Sequence, residues 1–332
     1  MDGQSCPASG TDALGALERF LDGAAKEGLG LCEVERESER RGPTETFTPA
    51  QSRPFFEALL PEGAVREQIA TMLRLAASDS YGLLAELGRD CAGALQIIEH
   101  KRLSDVPSVR WLEPEELDRL IHELPQRPLG IAPGDQRLRL SLAGVQRKAV
   151  LVRDEDGRIG EPLNGMPSTH ILKPQPADGG YPDIACNEFF CMRLAERCGL
   201  SAAKVELISA DGRPCLAVER FDRNTTSSPV LRLHQEDLCQ ALGLTPDFKY
   251  ERRERTLPSY GALAELLDDH SLRPGADRLA AAQRRCSTFW SRTPTRTPRT
   301  SRCCTSLAES GSRRCTTSCA PARTRTSAPS SR

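Results

Sequence analysis

Apolar and polar residues follow two different rhythms along this chain. In residues 1–100, apolar residues return every three or four positions, which is the spacing of one helix face. This spacing predicts helices over residues 12–25, 54–61, 65–75 and 83–87. The apolar run that follows Gly93 predicts a strand over 94–98. Polar residues 33–46, broken by Gly42-Pro43, predict a linker, so the first compact unit is expected to begin near Phe47.

From Arg137 the apolar runs become shorter and are separated by turn residues, which is typical of strands. The predicted strands cover residues 138–142, 148–152, 169–173, 204–209 and 215–219, with turns at 154–157 and 210–213. A helix is predicted from Ile184 to Cys198, because Phe189 and Met192 share one face and Gly199 is a typical helix end. Two further helices are predicted over 235–242 and 260–267. These elements predict an α+β fold.

Composition limits the class of protein and divides the chain in two. With 332 residues, of which 38% are hydrophobic, the chain can bury a sizeable core. It has no apolar stretch of membrane-spanning length and no secretory signal, so we expect a cytoplasmic protein without a membrane contact. Most of its 13 cysteines lie singly and are expected to be buried thiols. The net charge of −1 hides a split, because acidic residues are nearly absent after residue 280.

The segment Ser141–Lys148 lies between two predicted strands and could bind phosphate. Consecutive backbone N–H groups in a tight loop form a cradle for phosphate oxygens, and Gly144 would permit close approach. A simple hairpin is the commoner explanation of one glycine between strands.

Three further positions could complete a nucleotide site. Lys173 ends a predicted strand and could reach a nucleotide held by the loop, while Glu188 on the next helix could hold that lysine in place. Each could equally be a solvated surface charge. The strand end Leu216–Arg223 combines an aromatic residue with four charges, a composition suited to a hinge that holds adenine through its backbone.

Together these segments resemble the HipA family of toxin kinases, from about Phe47 to about Ala281. The resemblance lies in motifs that occur in the family's order. They are two motifs of the N-terminal subdomain (55–61 and 86–94), the phosphate loop (141–148), the ATP-lysine strand (170–173), the start of the helix behind it (187–188), the hinge (218–223) and the segment after the hinge (233–237). It implies a kinase-like small lobe with an N-terminal α+β subdomain, an incomplete helical large lobe and a disordered C-terminus. The expected divisions are an unmatched segment (1–46), the N-terminal-like subdomain (47–125), the ATP-binding part of the kinase domain (126–281) and an out-of-frame tail (282–332).

The resemblance also implies roles for individual residues. Ser141 matches the family's autophosphorylated serine, and Glu188 the structural partner of the ATP lysine. The implied contacts to ATP are Ala143, Gly144, Val145, Gln146, Arg147, Lys148 and Lys173 at the phosphates, and Glu219 and Phe221 at the hinge. The implied cofactors are ATP and Mg²⁺. The implied partners are a DNA-binding HipB-like antitoxin and, in intact relatives, a protein substrate such as an aminoacyl-tRNA synthetase; no specific nucleic acid contact is implied for this chain.

The family's catalytic loop, D-x-H-x-K-N, and its magnesium-binding Y-D have no counterpart after residue 281. In residues 283–332 the only carboxylate side chain is that of Glu309, whereas phosphoryl transfer needs carboxylate and amide ligands for magnesium. We therefore predict no catalytic residue and no metal ligand in this chain, which would make it an inactive member, or pseudokinase.

A change of reading frame would explain the tail. Synonymous codons exist for Thr293–Cys304 that, read from each third base, encode Thr-Asp-Ala-His-Pro-Lys-Asn-Phe-Ser-Val-Leu. The same offset over Arg313–Cys319 permits Pro-Leu-Tyr-Asp-Val-Leu. Both missing motifs thus return from one offset, which predicts a frameshift near residues 279–285.

Other interpretations of the tail and of the whole chain stay open. Cys303, Cys304, Cys315 and Cys319 could bind zinc, although their spacing is not that of paired C-x₂-C motifs. An arginine-rich tail could bind nucleic acid through phosphate contacts. The whole chain could be a noncatalytic remnant that binds nucleotide or antitoxin as a decoy, or a pseudogene product that does not fold.

Overall fold

The computed structural model describes residues 49–97, 106–131, 141–143, 146–177, 182–227, 229–249 and 259–290. It shows a mixed α and β fold, which confirms the predicted class. Its strands are Ser108–Trp111 (β1), Ala149–Arg153 (β2), Ile159–Leu163 (β3), His170–Pro174 (β4), Val205–Ala210 (β5), Arg213–Glu219 (β6), Arg223–Asn224 (β7) and Leu231–Arg232 (β8). Its α-helices are Pro49–Glu57 (α1), Gly63–Leu73 (α2), Ser80–Leu87 (α3), Pro114–Glu123 (α4), Ile184–Arg197 (α5), Leu238–Ala241 (α6), Tyr260–His270 (α7) and Pro274–Trp290 (α8).

A six-stranded antiparallel sheet forms the centre of the fold. Its strand order is β1-β3-β2-β4-β6-β5, and β7 and β8 form a separate two-stranded ribbon. In the register of β4 and β6, His170 faces Glu219 and Lys173 faces Leu216. The long β5–β6 pair turns at Asp211 and Gly212, both with positive φ, where Gly212 adopts the left-handed backbone without a Cβ penalty.

Alternation along the strands gives the sheet two apolar faces, each covered by helices. Ile171 on β4 and Val218 on β6 face the larger core, which also contains α5. Leu172 on β4 faces the opposite side, where Leu120 and Ile121 of α4 cover the sheet. Because both faces are buried around it, the central strand β2 reads as a nearly continuous apolar run.

Helices α1 to α3 share the larger core with the sheet. Fully buried residues of this region include Leu60, just beyond α1, Ile69 of α2 and Leu87 of α3, which belong to the same cluster as Val150 and Leu216 of the sheet. The N-terminal helices and the strands therefore share one apolar interior, although they lie far apart in sequence.

Several sequence predictions are confirmed. Helix α5 begins at Ile184 as expected and ends at Arg197, one residue early, with Gly199 at positive φ just beyond. Helices near α2, α3 and α7 were expected, and the turns at 154–157 and 210–213 are present. The helix expected over 235–242 is shorter, at Leu238–Ala241. The helix expected over 12–25 lies outside the described residues.

Two predicted strands are wrong in the residues that can be compared. Residues 94–97 form no strand, because Gly93 has a φ of 79° and the chain curls back so that the Ile97 N–H donates to the Gly88 carbonyl at 2.7 Å. Ser141 and Leu142 are irregular, while 138–140 lie outside the described residues. The expected tail boundary at 282 falls within α8, which continues to Trp290.

Six elements were not predicted: β1, α4, β3, the ribbon strands β7 and β8, and helix α8. Strand β3 contains Gly160 and Pro162, two residues that are rare in strands, which hid its pattern. Gly160 is needed because a Cβ there would lie 2.4 Å from the Val109 side chain of β1. Helix α4 begins with a capping box between Glu113 and Glu116.

Strand β1 forms one edge of the sheet and is short and charged. Its Arg110 donates to Glu161 on β3 at 2.7 Å and to Glu116 on α4 at 2.8 Å. The guanidinium of Arg158 lies 4.8 Å from the ring centroid of Trp111, a cation–π contact.

No helix among the described residues is long and apolar enough to cross a membrane.

The shared core predicts a large difference between two leucines. Leu60 is fully buried and Leu272 is 85% exposed. We expect Leu60→Ala to lower the free energy of unfolding by about 2–5 kcal/mol, because it removes apolar contacts and leaves a cavity. Leu272→Ala, the matched control, should change it by less than about 0.5 kcal/mol. Urea unfolding followed by circular dichroism measures both, and equal losses would contradict the assignment of Leu60 to the core.

Candidate functional site

Lys173 and Glu188 form an ion pair between the sheet and helix α5. Lys173 lies on the same face of β4 as Ile171, which is the face packed against α5. Its Nζ donates to Glu188 Oε1 at 2.5 Å, and the lysine side chain is only 12% exposed. Phe189 and Met192 pack α5 against the core and thereby fix the position of Glu188. A charged ammonium is thus held at a defined place on this face.

Ser141 is enclosed by the N-terminal helices. Its backbone N–H donates to the Asp90 carbonyl at 3.1 Å, and its hydroxyl donates to the Leu59 carbonyl at 2.6 Å. The residue has no exposed surface. In this conformation the hydroxyl expected to be autophosphorylated is not accessible to a phosphate donor.

The rest of the expected phosphate loop is described in part. Lys148 is buried, and its Nζ donates to the Ala143 carbonyl, which ties the two ends of the loop together. Gln146 is half-buried and Arg147 is exposed. Gly144 and Val145 lie outside the described residues.

The two hinge residues are placed differently from Lys173. Glu219 lies beside His170 on the sheet face opposite Lys173, and its carboxylate is 3.3 Å from Lys204 Nζ. Its N–H donates to the Lys204 carbonyl at 2.9 Å. Any contact of Glu219 with a nucleotide on the Lys173 side must therefore use its carbonyl. Phe221 is half-buried just beyond β6.

Sequence reasoning missed a buried ionic network next to the hinge. Arg220 donates to both carboxylate oxygens of Asp222, at 2.9 and 2.6 Å, a bidentate pair. Arg223 donates to Asp222 at 2.9 Å and to Asp90 at 2.8 Å. All four side chains are at most 3% exposed. Arg232, which is 15% exposed, lies 3.4 Å from Asp90.

Main-chain groups and a hydroxyl complete the network. The Gly93 N–H donates to Asp222 at 2.7 Å, and the Ser168 hydroxyl donates to Asp90 at 2.5 Å. Arg220 and Arg223 both donate to the Cys91 carbonyl. The network thus joins residues 90–93 to the hinge. The available signal was the Arg-x-Asp-Arg run at 220–223, which was interpreted as hinge composition only.

The arginines keep the buried carboxylates ionised. Burial by itself would raise the pKa of Asp222, but the Arg220 guanidinium lowers it from 3.8 to about 2. Burial likewise opposes ionisation of Asp90, while Arg220, Arg223 and Arg232 hold its pKa below the usual value. Since the folded pKa of Asp222 lies below the unfolded one, its contribution to stability is present above pH 3.8 and is lost as the pH falls toward 2.

A second ion pair joins the N-terminal helices to the segment after the hinge. Lys249 lies 3.0 Å from Glu62 and 2.6 Å from Asp237, and its side chain is 9% exposed. Nearby, Gln240 donates to the Phe55 carbonyl at 3.1 Å.

Among the described residues, no group of three or more His, Cys, Asp or Glu side chains is suited to hold a metal ion. The four tail cysteines considered for zinc lie outside those residues.

Comparison with protein-family models identifies the family of this chain. The HipA-like C-terminal domain matches residues 140–292, and the HipA N-terminal domain matches residues 29–98. The chain belongs to the HipA family. The N-terminal match begins ahead of Phe47, where the sequence motifs first resembled the family.

Two curated relatives are similar to the chain over most of its length. The chain is 43% identical over 242 residues to "Putative kinase Y4mE" of Sinorhizobium fredii, covering 71% of the chain and 56% of that protein. It is 34% identical over 210 residues to the serine/threonine-protein kinase toxin HipA of Shewanella oneidensis, covering 62% and 47%. The chain spans about half the length of these curated relatives.

A solved structure shows the same fold. It is the complex of Shewanella oneidensis HipA with HipB and operator DNA, matched with a TM-score of 0.57 and 28% identity over 75% of this chain and 58% of that one.

The network predicts that one buried arginine matters more than an exposed one. Arg223→Met should cost about 3–5 kcal/mol of unfolding free energy, because it leaves Asp90 and Asp222 short of a buried positive charge. Arg278→Met removes an exposed pair with Asp268, of which the side chains are 52% and 48% exposed. That control should cost at most about 1 kcal/mol. Urea unfolding at pH 7 compares them, and a small loss for Arg223→Met would show that the buried network adds little to stability.

Proposed function

We propose that this chain is a HipA-type serine/threonine kinase unit that keeps the ATP-phosphate side of its site and lacks the groups that carry out phosphoryl transfer. The Lys173–Glu188 pair is the observation that carries this proposal. A lysine on a central strand, held by a glutamate of the packed helix, is the arrangement that positions phosphates in protein kinases. Here the pair lies within a sheet and helix that match the HipA C-terminal domain.

The described residues fit the phosphates of ATP. Lys173 supplies a fixed ammonium, and Glu188 orients it. The backbone of Ala143 and of Gln146–Lys148 would supply N–H groups from the loop that Lys148 closes. ATP itself would supply the phosphoryl group, which a protein serine hydroxyl accepts in the intact kinase.

The groups for magnesium and for the serine nucleophile are what this chain lacks. Residues 283–332 contain a single carboxylate side chain, that of Glu309, where the family has D-x-H-x-K-N and Y-D. Without a carboxylate to orient the hydroxyl and oxygen ligands to fix magnesium, ATP binding does not lead to transfer.

The frameshift proposal gains support from residues just ahead of the restored loop. Synonymous codons for Arg285–Thr293, read from each third base, permit Val-Phe-Asn-Leu-Leu-Val-Ala-Asn, which continues directly into Thr-Asp-Ala-His-Pro-Lys-Asn. The permitted run has six apolar residues of eight, whereas Arg285–Thr293 as translated has three of nine, Cys286, Phe289 and Trp290. The proposed change of frame lies near residues 279–285.

A HipB-type antitoxin is the proposed partner, and the cytoplasm the proposed location. The solved structure of Shewanella oneidensis HipA is a complex with HipB and operator DNA. The match to that HipA covers 75% of the present chain. A chain that binds antitoxin without phosphoryl transfer would act as a decoy. Pull-down of the purified chain by a HipB-type protein would favour the decoy over a nonfunctional product.

We expect ATP binding to depend on Lys173. Lys173→Ala should weaken ATP affinity by about tenfold or more, because a charge-assisted contact to phosphate is lost. Lys204→Ala is the matched control, since Lys204 is 81% exposed and pairs with Glu219 on the opposite sheet face. Isothermal titration measures both. Equal affinity in parent and Lys173→Ala would remove Lys173 from the site, and no binding by the parent would contradict the ATP proposal.

Restoring the reading frame near residues 279–285 should restore activity in one step. With ATP and magnesium, peptide mass spectrometry should show phosphate on Ser141 in the repaired chain, after its loop opens and exposes the hydroxyl, and none in the present one, and expression of the repaired gene should arrest growth. Changing the aspartate of the restored loop to asparagine should abolish both effects. Phosphorylation of Ser141 in the present chain would overturn the inactive assignment, and DNA that lacks the two motifs in the other frame would end the frameshift account.

A further inference from the structure

Asp90 contacts the phosphate loop and the hinge with different parts of the same residue. Its carbonyl accepts the N–H of Ser141 at 3.1 Å. Its carboxylate accepts from Ser168 at 2.5 Å, from Arg223 at 2.8 Å and from Arg220 at 3.4 Å. One residue therefore connects the two sides of the candidate ATP site.

On the hinge side, two arginines bind the main chain just after Asp90. Arg220 and Arg223 each donate to the Cys91 carbonyl, at 2.9 and 2.8 Å, and Arg223 also donates to the Gly93 carbonyl at 3.0 Å. The short 3₁₀ turn Gly88–Asp90 and the residues after it are thus held by hinge side chains. A shift of the hinge arginines would move the carbonyl that binds Ser141.

The loop side depends on the same region. Apart from the Asp90 carbonyl, Ser141 is bound by the Leu59 carbonyl, which lies just beyond α1. Both acceptors belong to the N-terminal region, and the serine is fully enclosed between them. The start of the phosphate loop is therefore positioned by residues outside the kinase-like sheet.

We propose that Asp90 is a positioning residue that couples the hinge to the phosphate loop: its carboxylate, fixed by Arg220, Arg223 and Ser168, holds its carbonyl where the Ser141 N–H needs it. The geometry of this coupling stands by itself, but its relevance to ATP rests on the proposed function. Loss of the carboxylate contacts should release the start of the loop.

A purely stabilising network would behave differently, and the chain offers a matched control. Glu62 is another buried carboxylate of the N-terminal region, and it binds Lys249 at 3.0 Å on the segment after the hinge. Ser141 is bound by Leu59 and Asp90 instead. Glu62→Gln should lower overall stability without a selective effect at Ser141.

Hydrogen exchange of the full chain without nucleotide tests the coupling. Mass spectrometry with fragmentation would compare the amide of Ser141 with that of Leu216 in the central strand β6. In Asp90→Asn we expect Ser141 exchange to accelerate about tenfold more than Leu216 exchange. In Glu62→Gln the two amides should change by the same factor. Equal changes in Asp90→Asn would reduce Asp90 to a general stabiliser and overturn the proposal.

A milder variant keeps the test decisive if Asp90→Asn does not fold. Ser168→Ala removes the shortest contact to the Asp90 carboxylate and leaves every charge in place. It should accelerate Ser141 exchange selectively, by about threefold. No selective acceleration in Ser168→Ala would contradict the coupling.

Isothermal titration of the parent protein with ATP separates this inference from the proposed function. Selective exchange at Ser141 in Ser168→Ala, together with no ATP binding by the parent, would uphold the coupling and contradict the ATP site. ATP binding by the parent together with no selective exchange would uphold the ATP site and overturn the coupling.

Discussion

The structure depends on two buried aspartates that arginines keep ionised, and one of them, Asp90, is distant from those arginines in sequence. Asp90 comes from the N-terminal region, while Asp222 and its arginine neighbours come from the end of the last sheet strand. Such a network is costly to bury, and its cost is offset only when every charge is matched and hydrogen-bonded. That requirement fixes the N-terminal helices on the sheet in one arrangement. Apolar packing alone would tolerate more than one arrangement of the same helices.

The sequence predicted those helices and strands whose hydrophobic pattern is clear, and it missed those whose pattern is interrupted. Helix α5 has a clear apolar face and a glycine just past its end, and the β5–β6 pair has alternating residues around Asp211-Gly212, so both were found. Strand β3 was missed because Gly160 and Pro162 hide its pattern, and its place is decided by neighbours that become visible only in three dimensions. The strand expected after Gly93 failed because long-range contacts to Asp222 override local preference.

Some residues of the candidate site were also predicted from the sequence, and others became evident only in the structure. Lys173 and Glu188 were predicted from their positions on a strand and the following helix, and the structure brings them into contact. Their role in ATP binding stays a prediction. The roles of Asp90 and Arg223 were not found, because 133 residues separate them and charged residues are by default expected at the surface. Resemblance to HipA kinases located the motifs, but the opposite orientation of the Glu219 carboxylate needed the strand register.

The edge strand β1 has a consequence for how copies of this chain meet one another. An open sheet edge is a template on which a second molecule can add a strand and begin an aggregate. Here the edge is four residues long and carries Arg110, with Arg158 lying over its last residue, Trp111. A neighbouring strand would have to bring its backbone past both guanidinium groups and strip them of water. The edge thus resists self-association by its own charge.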